Sequence, residues 1–333
     1  MTRALSGDAP TLPQEVQRTL HAHPAISPTL ILVAAWITFT VINPRFLQPG
    51  ALSLLVQQTA IVAILAVGQT LILLTAGIDL SVGAVCVLAA MVMAKITSEQ
   101  GVPGVLAILI GIAVAMAAGL LNGILVTRLK LPPFIVTLGT LSIFTAIALL
   151  YSKGATIESG VLPGELNSTG HTWSVGAFRI TAGVLLVLLV YVVVGVALRK
   201  TAWGRHVYAV GDDAQAAGLA GVRVGRVLLS VYVVAGVIYG IGAWVMIGRV
   251  GGASPNAVVD ANLESITAVV IGGTSLFGGR GGLLGTLLGA LIVQSFSVGL
   301  ALAGVDGQFR LLAVGILVIL AVSVDQWIRQ VKA

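Results

Sequence analysis

The residues with chemistry to offer are few and widely spaced. The four histidines, His21, His23, His171 and His206, are scattered, and the single cysteine, Cys86, sits inside an apolar run. An internal disulfide is therefore excluded, and a cysteine-based metal site has no second ligand. Nothing in the spacing brings a nucleophile, a base and an orienting group together, so no catalytic residue is named. What stands out instead is polar residues in apolar surroundings. The run Thr75-Ala76-Gly77-Ile78-Asp79-Leu80-Ser81-Val82-Gly83 sets a carboxylate between two long apolar stretches. A charge there costs several kcal/mol unless it meets water or a partner. Asp79 followed by Ser81 also reads as an acidic helix start, where a short side chain satisfies free N–H groups. Both a cap and contact with a polar ligand remain open for Asp79.

A second stretch holds Asn122-Gly123 and then Leu131-Pro132-Pro133-Phe134-Ile135-Val136-Thr137-Leu138-Gly139-Thr140. The two prolines mark a loop and the first position of a helix. Thr137 and Thr140 then lie about one turn apart on one face. Threonine in such a helix commonly bonds its own backbone, although a hydroxyl-lined face would also suit a polyol.

A third stretch, 199–226, is too polar to be buried in lipid. Within it Asp212 or Asp213 caps a short helix carrying Ala214, Gln215, Ala216 and Ala217, which Gly221 closes; Gly211 precedes it. A small-residue helix flanked by arginines is a natural docking piece for a soluble partner. The fourth stretch, Gly272-Gly273-Thr274-Ser275-Leu276-Phe277-Gly278-Gly279-Arg280-Gly281-Gly282, places six glycines in eleven positions. It breaks a helix, and broken helices at membrane depth line cavities or sit inside protein. A simple re-entrant turn is the alternative.

The elements that carry these stretches are membrane helices. Of the 333 residues, 57% are hydrophobic and only 9% charged, against about 25% charged in a soluble domain. Ten apolar segments are read, at 28–43, 52–76, 81–97, 104–126, 133–152, 179–198, 227–248, 261–276, 282–303 and 309–327. Each approaches the ~20 residues that a bilayer core requires. The fold class is thus an all-α integral membrane protein of about ten transmembrane helices. Residues 1–26 form a cytoplasmic tail without the apolar core of a signal peptide, and 27–333 form one transmembrane domain. With ten alternating helices, twelve of the 18 lysines and arginines fall on the side of the two termini, which places both termini in the cytoplasm. The net charge of +6 is scattered between apolar runs, without the basic stripe that nucleic acid requires. Glycines at every fourth position, Gly281–Gly285–Gly289 above all, predict a close helix-packing face, and Gly236–Gly240 and Gly119–Gly123 repeat the spacing.

These four stretches, in this order, resemble the permease subunits of bacterial ABC importers for monosaccharides, the ribose/xylose/arabinose/galactose group. The resemblance runs from about 52 to 327. Its motif positions here are Gly77, Asp79, Ser81, Gly83, Asn122, Gly123, Pro133, Gly272, Gly273, Thr274, Ser275, Gly278 and Gly279. It implies the ABC importer permease fold, a permease homodimer in the bacterial inner membrane, a cytoplasmic ATPase docked on the 199–226 loop, and a periplasmic sugar-binding protein that delivers substrate. ATP would be bound by the partner subunit, leaving no cofactor on this chain, and no phosphate-cradling Gly-x-x-x-x-Gly-Lys-Ser/Thr motif is present in it. Gln57, Gln69, Thr75, Thr137, Thr140 and Gln294 are the candidate lining of a weakly polar pathway. A permease for branched-chain amino acids is the near rival, disfavoured by the Gly-Ile-Asp-Leu-Ser and Gly-Gly-Thr-Ser-Leu motifs. An ion-driven transporter would keep ionisable residues inside the bundle, whereas Asp79, Asp260, Glu264, Asp306 and Asp325 fall near segment ends.

Overall fold

The computed structural model describes residues 26–257 and 260–329. The predicted tail therefore lies, except for its last residue, outside the described residues. Each of the ten apolar segments contains a helix, although the one read at 261–276 is helical only to Ile271 and the one read at 179–198 begins in a strand. The helices are α1 (Ile26–Ile42), α2 (Pro49–Leu74), α3 (Val82–Gln100), α4 (Gly104–Thr127), α5 (Pro133–Ser152), α6 (Ala182–Lys200), α9 (Val224–Val250), α10 (Ala261–Ile271), α11 (Leu283–Leu302) and α12 (Gly307–Arg329). Two further helices, α7 (Ala202–Asp212) and α8 (Ala214–Leu219), form an arm between α6 and α9. Seven of these helices, α2 to α6, α9 and α11, are long and apolar enough to cross a membrane by length and composition.

The helices are inside-out relative to a soluble bundle. On α5 and α6 most exposed side chains are apolar, among them Phe134, Ile135, Leu150, Leu189 and Val192. A water-facing surface of this kind would be a large apolar patch, so lipid or another chain is its natural cover. α3 is enclosed by α4, α5 and α9, and α2 packs on α6, α9, α10 and α11. Buried hydroxyls in these helices bond their own backbone, as in Thr59 to Leu55 O at 2.7 Å. The Thr70 and Thr286 hydroxyls join α2 to α11 at 2.8 Å.

Glycine sets the closest crossings. A methyl group on Gly119 of α4 would stand 2.3 Å from the Tyr232 carbonyl oxygen of α9, and one on Gly236 would stand 2.5 Å from Ala115 O. On α11, methyls at Gly285 and Gly289 would meet the carbonyl oxygens of Gly272 and Ala268, both at 1.9 Å. The predicted triple at 281–289 is thus a packing face only from Gly285 onward. Gly281 precedes the helix and serves the turn before it, at φ +132°.

The long connection 153–178 is more ordered than the apolar pattern predicts. It contributes β1 (Ile157–Glu158), which pairs antiparallel with β4 (Gly252–Ala253) after α9. A hairpin of β2 (Thr172–Val175) and β3 (Phe178–Thr181) turns at Gly176, φ +62°. These strands are only two to four residues long, too short for a period to register, and β3 takes up the first residues of the segment read at 179–198.

Candidate functional site

Chain direction gives the molecule two ends. α2 finishes, α11 begins and the α7–α8 arm lies at one of them, which we call the arm end. The β1–β4 and β2–β3 pairs lie at the other.

The arm is built from local signals. Thr201 caps α7, its hydroxyl accepting from Gly204 N at 3.2 Å. Trp203 Nε1 donates to Ser230 Oγ of α9 at 2.8 Å and ties α7 down. Of the two predicted caps, Asp213 is the one used: its Oδ1 accepts from Gln215 N at 2.8 Å and Ala216 N at 2.9 Å. Asp212 instead ends the preceding helix, and α7 itself falls where the sequence indicated only polar loop. Gly221, at φ +87°, closes the turn. Within α8 only Ala217 is buried, while Ala214, Gln215, Ala216, Gly218 and Leu219 are exposed. Leu219 stands 92% exposed, an apolar tip on a polar arm.

The root of this arm touches two other motifs backbone to backbone. A methyl on Gly211 would stand 1.7 Å from Leu74 O and 2.7 Å from Gly279 N. Gly279 N donates to Leu74 O at 3.0 Å, so the glycine-rich turn ends one of the orphan carbonyls of α2. A methyl on Gly278, at φ +85°, would stand 2.5 Å from Gly211 O. Tyr208 of α7 donates to Gly281 O at 3.0 Å, and burial pushes its hydroxyl above the ordinary tyrosine range, opposed by the charge of Arg199. Inside the turn, Ser275 N donates to Arg280 O at 2.9 Å and Thr274 N to Val269 O at 3.1 Å. Gly273, at φ +80°, leads out of α10 beyond Gly272. The arm, the end of α2 and the 272–282 turn therefore meet at one junction made of glycines.

The Thr75–Gly83 stretch leaves this junction and turns back into the bundle. Gly77 N donates to Ile72 O at 3.0 Å, after Ala76 at φ +60°. Asp79 is 2% exposed and is not the predicted N-cap. Ser81 occupies that position without a side-chain cap bond. Asp79 Oδ1 accepts from Ser81 N at 2.7 Å and Ser81 Oγ at 2.6 Å, because a carboxylate two residues back closes an Asx turn. Asn122 Nδ2 donates to Ser81 Oγ at 2.9 Å, and the Tyr239 hydroxyl reaches Asp79 Oδ2 at 3.5 Å. Asn262 Oδ1 of α10 accepts from Gly83 N at 2.6 Å, and Thr137 Oγ1 donates to Ile78 O at 3.0 Å. Gly123 lies against Leu229 and Tyr232. Pro133 lines, with Thr75, Gly77 and Tyr232, a cavity of about 330 Å³.

The six pathway candidates do not converge. Gln57 donates to Arg179 O at the strand end, and Gln294 to Glu264 at 3.1 Å. Thr75, Thr137 and Thr140 each bond backbone carbonyls one turn back. Gln69 is fully buried and neither atom of its amide has a partner. Tyr208, Tyr232 and Tyr239 were not singled out in the sequence. A tyrosine inside an apolar helix was the available signal, since its buried hydroxyl demands a partner.

Comparison with known proteins follows the same lines. A family model described as branched-chain amino acid transport system / permease component matches residues 51–322. The fructose import permease protein FrcC of Rhizobium meliloti is 48% identical over 97% of this chain and 91% of its own. The ribose import permease protein RbsC of Bacillus subtilis is 37% identical, covering 90% of this chain and 92% of its own. The galactose/methyl galactoside import permease protein MglC of Escherichia coli is 34% identical, covering 89% and 91%. The matched span takes in all four motifs, the arm and the glycine junction, and on that basis the chain belongs to this family of transport-system permeases, within which its near relatives are sugar import permeases.

Proposed function

We propose that this chain is the membrane-spanning permease subunit of an ATP-driven ABC importer that takes up a monosaccharide or related polyol. Fructose, ribose and galactose import permeases at 34–48% identity support the substrate class over amino acids. A second copy completes the pathway as a homodimer, a periplasmic binding protein delivers the sugar, and a separate cytoplasmic ATPase binds and hydrolyses ATP. This chain performs no covalent chemistry and needs no cofactor of its own.

In this reading the three shorter apolar helices, Ile26–Ile42, Ala261–Ile271 and the one beginning at Gly307, join the seven long ones to make ten spans. Residues 27–333 then act as one permease domain in the inner membrane, with both termini and the arm in the cytoplasm. The basic residues Arg199, Lys200, Arg205, Arg223 and Arg226 around the arm support that orientation.

The observation that carries the mechanism is the glycine junction. ATPase closure shifts α8, whose exposed face and Leu219 tip are the docking surface. The shift passes through Gly211 to the end of α2 and to the 272–282 turn, as well as along α6 and α9. Backbone groups in van der Waals contact leave no side chain to absorb the displacement, so the motion reaches both broken motifs as a rigid step. The pathway then opens alternately to either side, with Gln57, Gln69, Thr75, Thr137, Thr140 and Gln294 as its candidate lining.

The test is co-purification after mild detergent extraction, followed by ATPase assay with and without Asp213→Lys and Ala216→Arg. An ATPase that accompanies the wild type and is lost from both variants upholds the importer. Uptake that collapses with the ion gradient, with no ATPase ever bound, overturns it.

A further inference from the structure

A polar cavity lies far from the arm. α11 starts beside the 272–282 turn and runs away from it, so the connection to α12 lies at the opposite end; Asp260 and α10 start there too. Between α10, α11 and α12 is a cavity of about 830 Å³, lined by Asp260, Glu264, Ser297, Asp306, Gln308 and Arg310 together with apolar side chains of Leu263, Leu311 and Val314. That is the size range of small-molecule pockets, with polar groups set among apolar ones.

Its polar groups have unused capacity. Asp260 stands at the start of α10 yet its side chain caps nothing. Glu264 accepts one hydrogen bond, from Gln294, at 3.1 Å. Among the described residues, the Asp306 carboxyl has no partner, and no ion pair joins Arg310 to any of these acids. Arg310 Nε is buried and without a partner. Asp260, Asp306 and Gln308 are exposed and open to solvent or a ligand, while Glu264 and Arg310 are half-buried, and the buried Arg310 Nε is the group that calls for water or a ligand to match it. The acids do not form a cation site: among the described residues no three acidic, histidine or cysteine side chains converge as ligands. What they offer jointly is carboxylate acceptors beside guanidinium and amide donors, the complement of a molecule whose every hydroxyl both donates and accepts. Three carboxylates against one guanidinium also repel an anion.

We infer that this cavity is the site where the permease first receives its substrate, a neutral monosaccharide or polyol, with Asp260, Glu264 and Asp306 accepting from sugar hydroxyls and Arg310 and Gln308 donating to sugar oxygens. The inference rests on the importer reading, which places this end outward, and it adds a selection rule: sugar acids and sugar phosphates are refused by charge. The affinity is weak by design, because a donor protein has to hand the sugar over and the cavity has to release it inward.

Saturation-transfer NMR suits weak binding. The complete permease–ATPase complex in nanodiscs is titrated with D-fructose, D-ribose, D-galactose and D-galacturonate. For the wild type at least one neutral sugar gives signal and galacturonate gives none. Glu264→Gln and Asp306→Asn each lower the neutral-sugar signal several-fold, and the double variant gains a galacturonate signal, a change of charge selectivity that a purely structural role would not produce. Neutral-sugar signals that are absent from the wild type, or unchanged in both variants, overturn the inference. ATPase stimulation by the sugar-loaded binding protein is measured in the same preparations. Stimulation with unchanged signals removes the cavity assignment alone, whereas absence of stimulation in the wild type removes the importer reading and this inference with it.

Discussion

The amide of Gly279 donates to the carbonyl of Leu74 across 3.0 Å, and Gly211 is wedged against both. Residues 74, 211 and 279 are far apart in sequence and belong to the end of α2, the root of the arm and the glycine-rich turn. Their contact makes the arm, the end of α2 and the glycine turn one mechanical unit.

Disturbing this unit should uncouple the transporter rather than dissolve it. Tyr208→Phe removes the hydroxyl that holds the arm to Gly281 O, a loss of about 1 kcal/mol. Transport should fall several-fold while ATPase activity and complex formation persist. Gly211→Ala forces a methyl into the Leu74 carbonyl and costs about 1–3 kcal/mol or more, so its transport loss should be larger. Vesicle uptake and ATP hydrolysis measured on the same preparations check both. A parallel fall of the two activities would reject the uncoupling.

Asp213 holds α8 through two backbone amides. Asp213→Ala should cost about 1 kcal/mol of local stability, and Asp213→Asn much less, since an asparagine oxygen still caps. Hydrogen exchange at the Gln215 and Ala216 amides should quicken in the alanine variant alone. Affinity for the ATPase should follow the same order, because the docking surface is then partly unfolded before binding.

Much of this fold was legible in the chain because lipid imposes a simple rule. Long apolar runs bounded by polar residues must be helices, and the helix at Gly104–Thr127 begins where the segment 104–126 does. The cap at Asp213 was legible for a different reason, since capping is local chemistry. The helix Ala202–Asp212 was not, because Arg205, His206 and Gly211 interrupt its apolar pattern and its buried face forms only against α2, α6 and α9. The role of Asp79 was half legible. The sequence shows a short acidic residue near a helix start, but an Asx turn and a cap differ only in which amide the carboxylate meets. The pathway candidates were chosen by polarity alone, and polarity does not say whether a threonine bonds its own backbone. The cavity of Asp260, Glu264 and Arg310 joins three segments and has no local signature.

Gln69 leads to a prediction with opposite signs. Both polar atoms of its side-chain amide are buried without partners, and each such group costs about 1–3 kcal/mol. Gln69→Leu should therefore raise the thermal midpoint of the purified protein. If the amide meets sugar or water when the pathway opens, the same change should lower transport. A variant that is more stable and equally active would place Gln69 outside the pathway.

Glycine substitutions should divide by what faces them, not by spacing. A helix-interior glycine replaced by alanine normally gains about 0.4–1 kcal/mol, through the lower entropy of the unfolded chain. At Gly195 a methyl would meet only Leu283 Cδ1, at 3.9 Å, so Gly195→Ala should stabilise by that amount. At Gly236 the methyl would stand 2.5 Å from Ala115 O and 3.1 Å from Met116 Cα, backbone atoms that yield only if α4 and α9 separate. Gly236→Ala should lose several degrees of thermal midpoint in detergent, where Gly195→Ala gains. Without a hydrophobic drive between helices in lipid, packing contact itself holds them, so even a few tenths of an ångström at this crossing changes the sign. Equal shifts for the two variants would mean that the α4–α9 crossing is looser than its backbone contacts require.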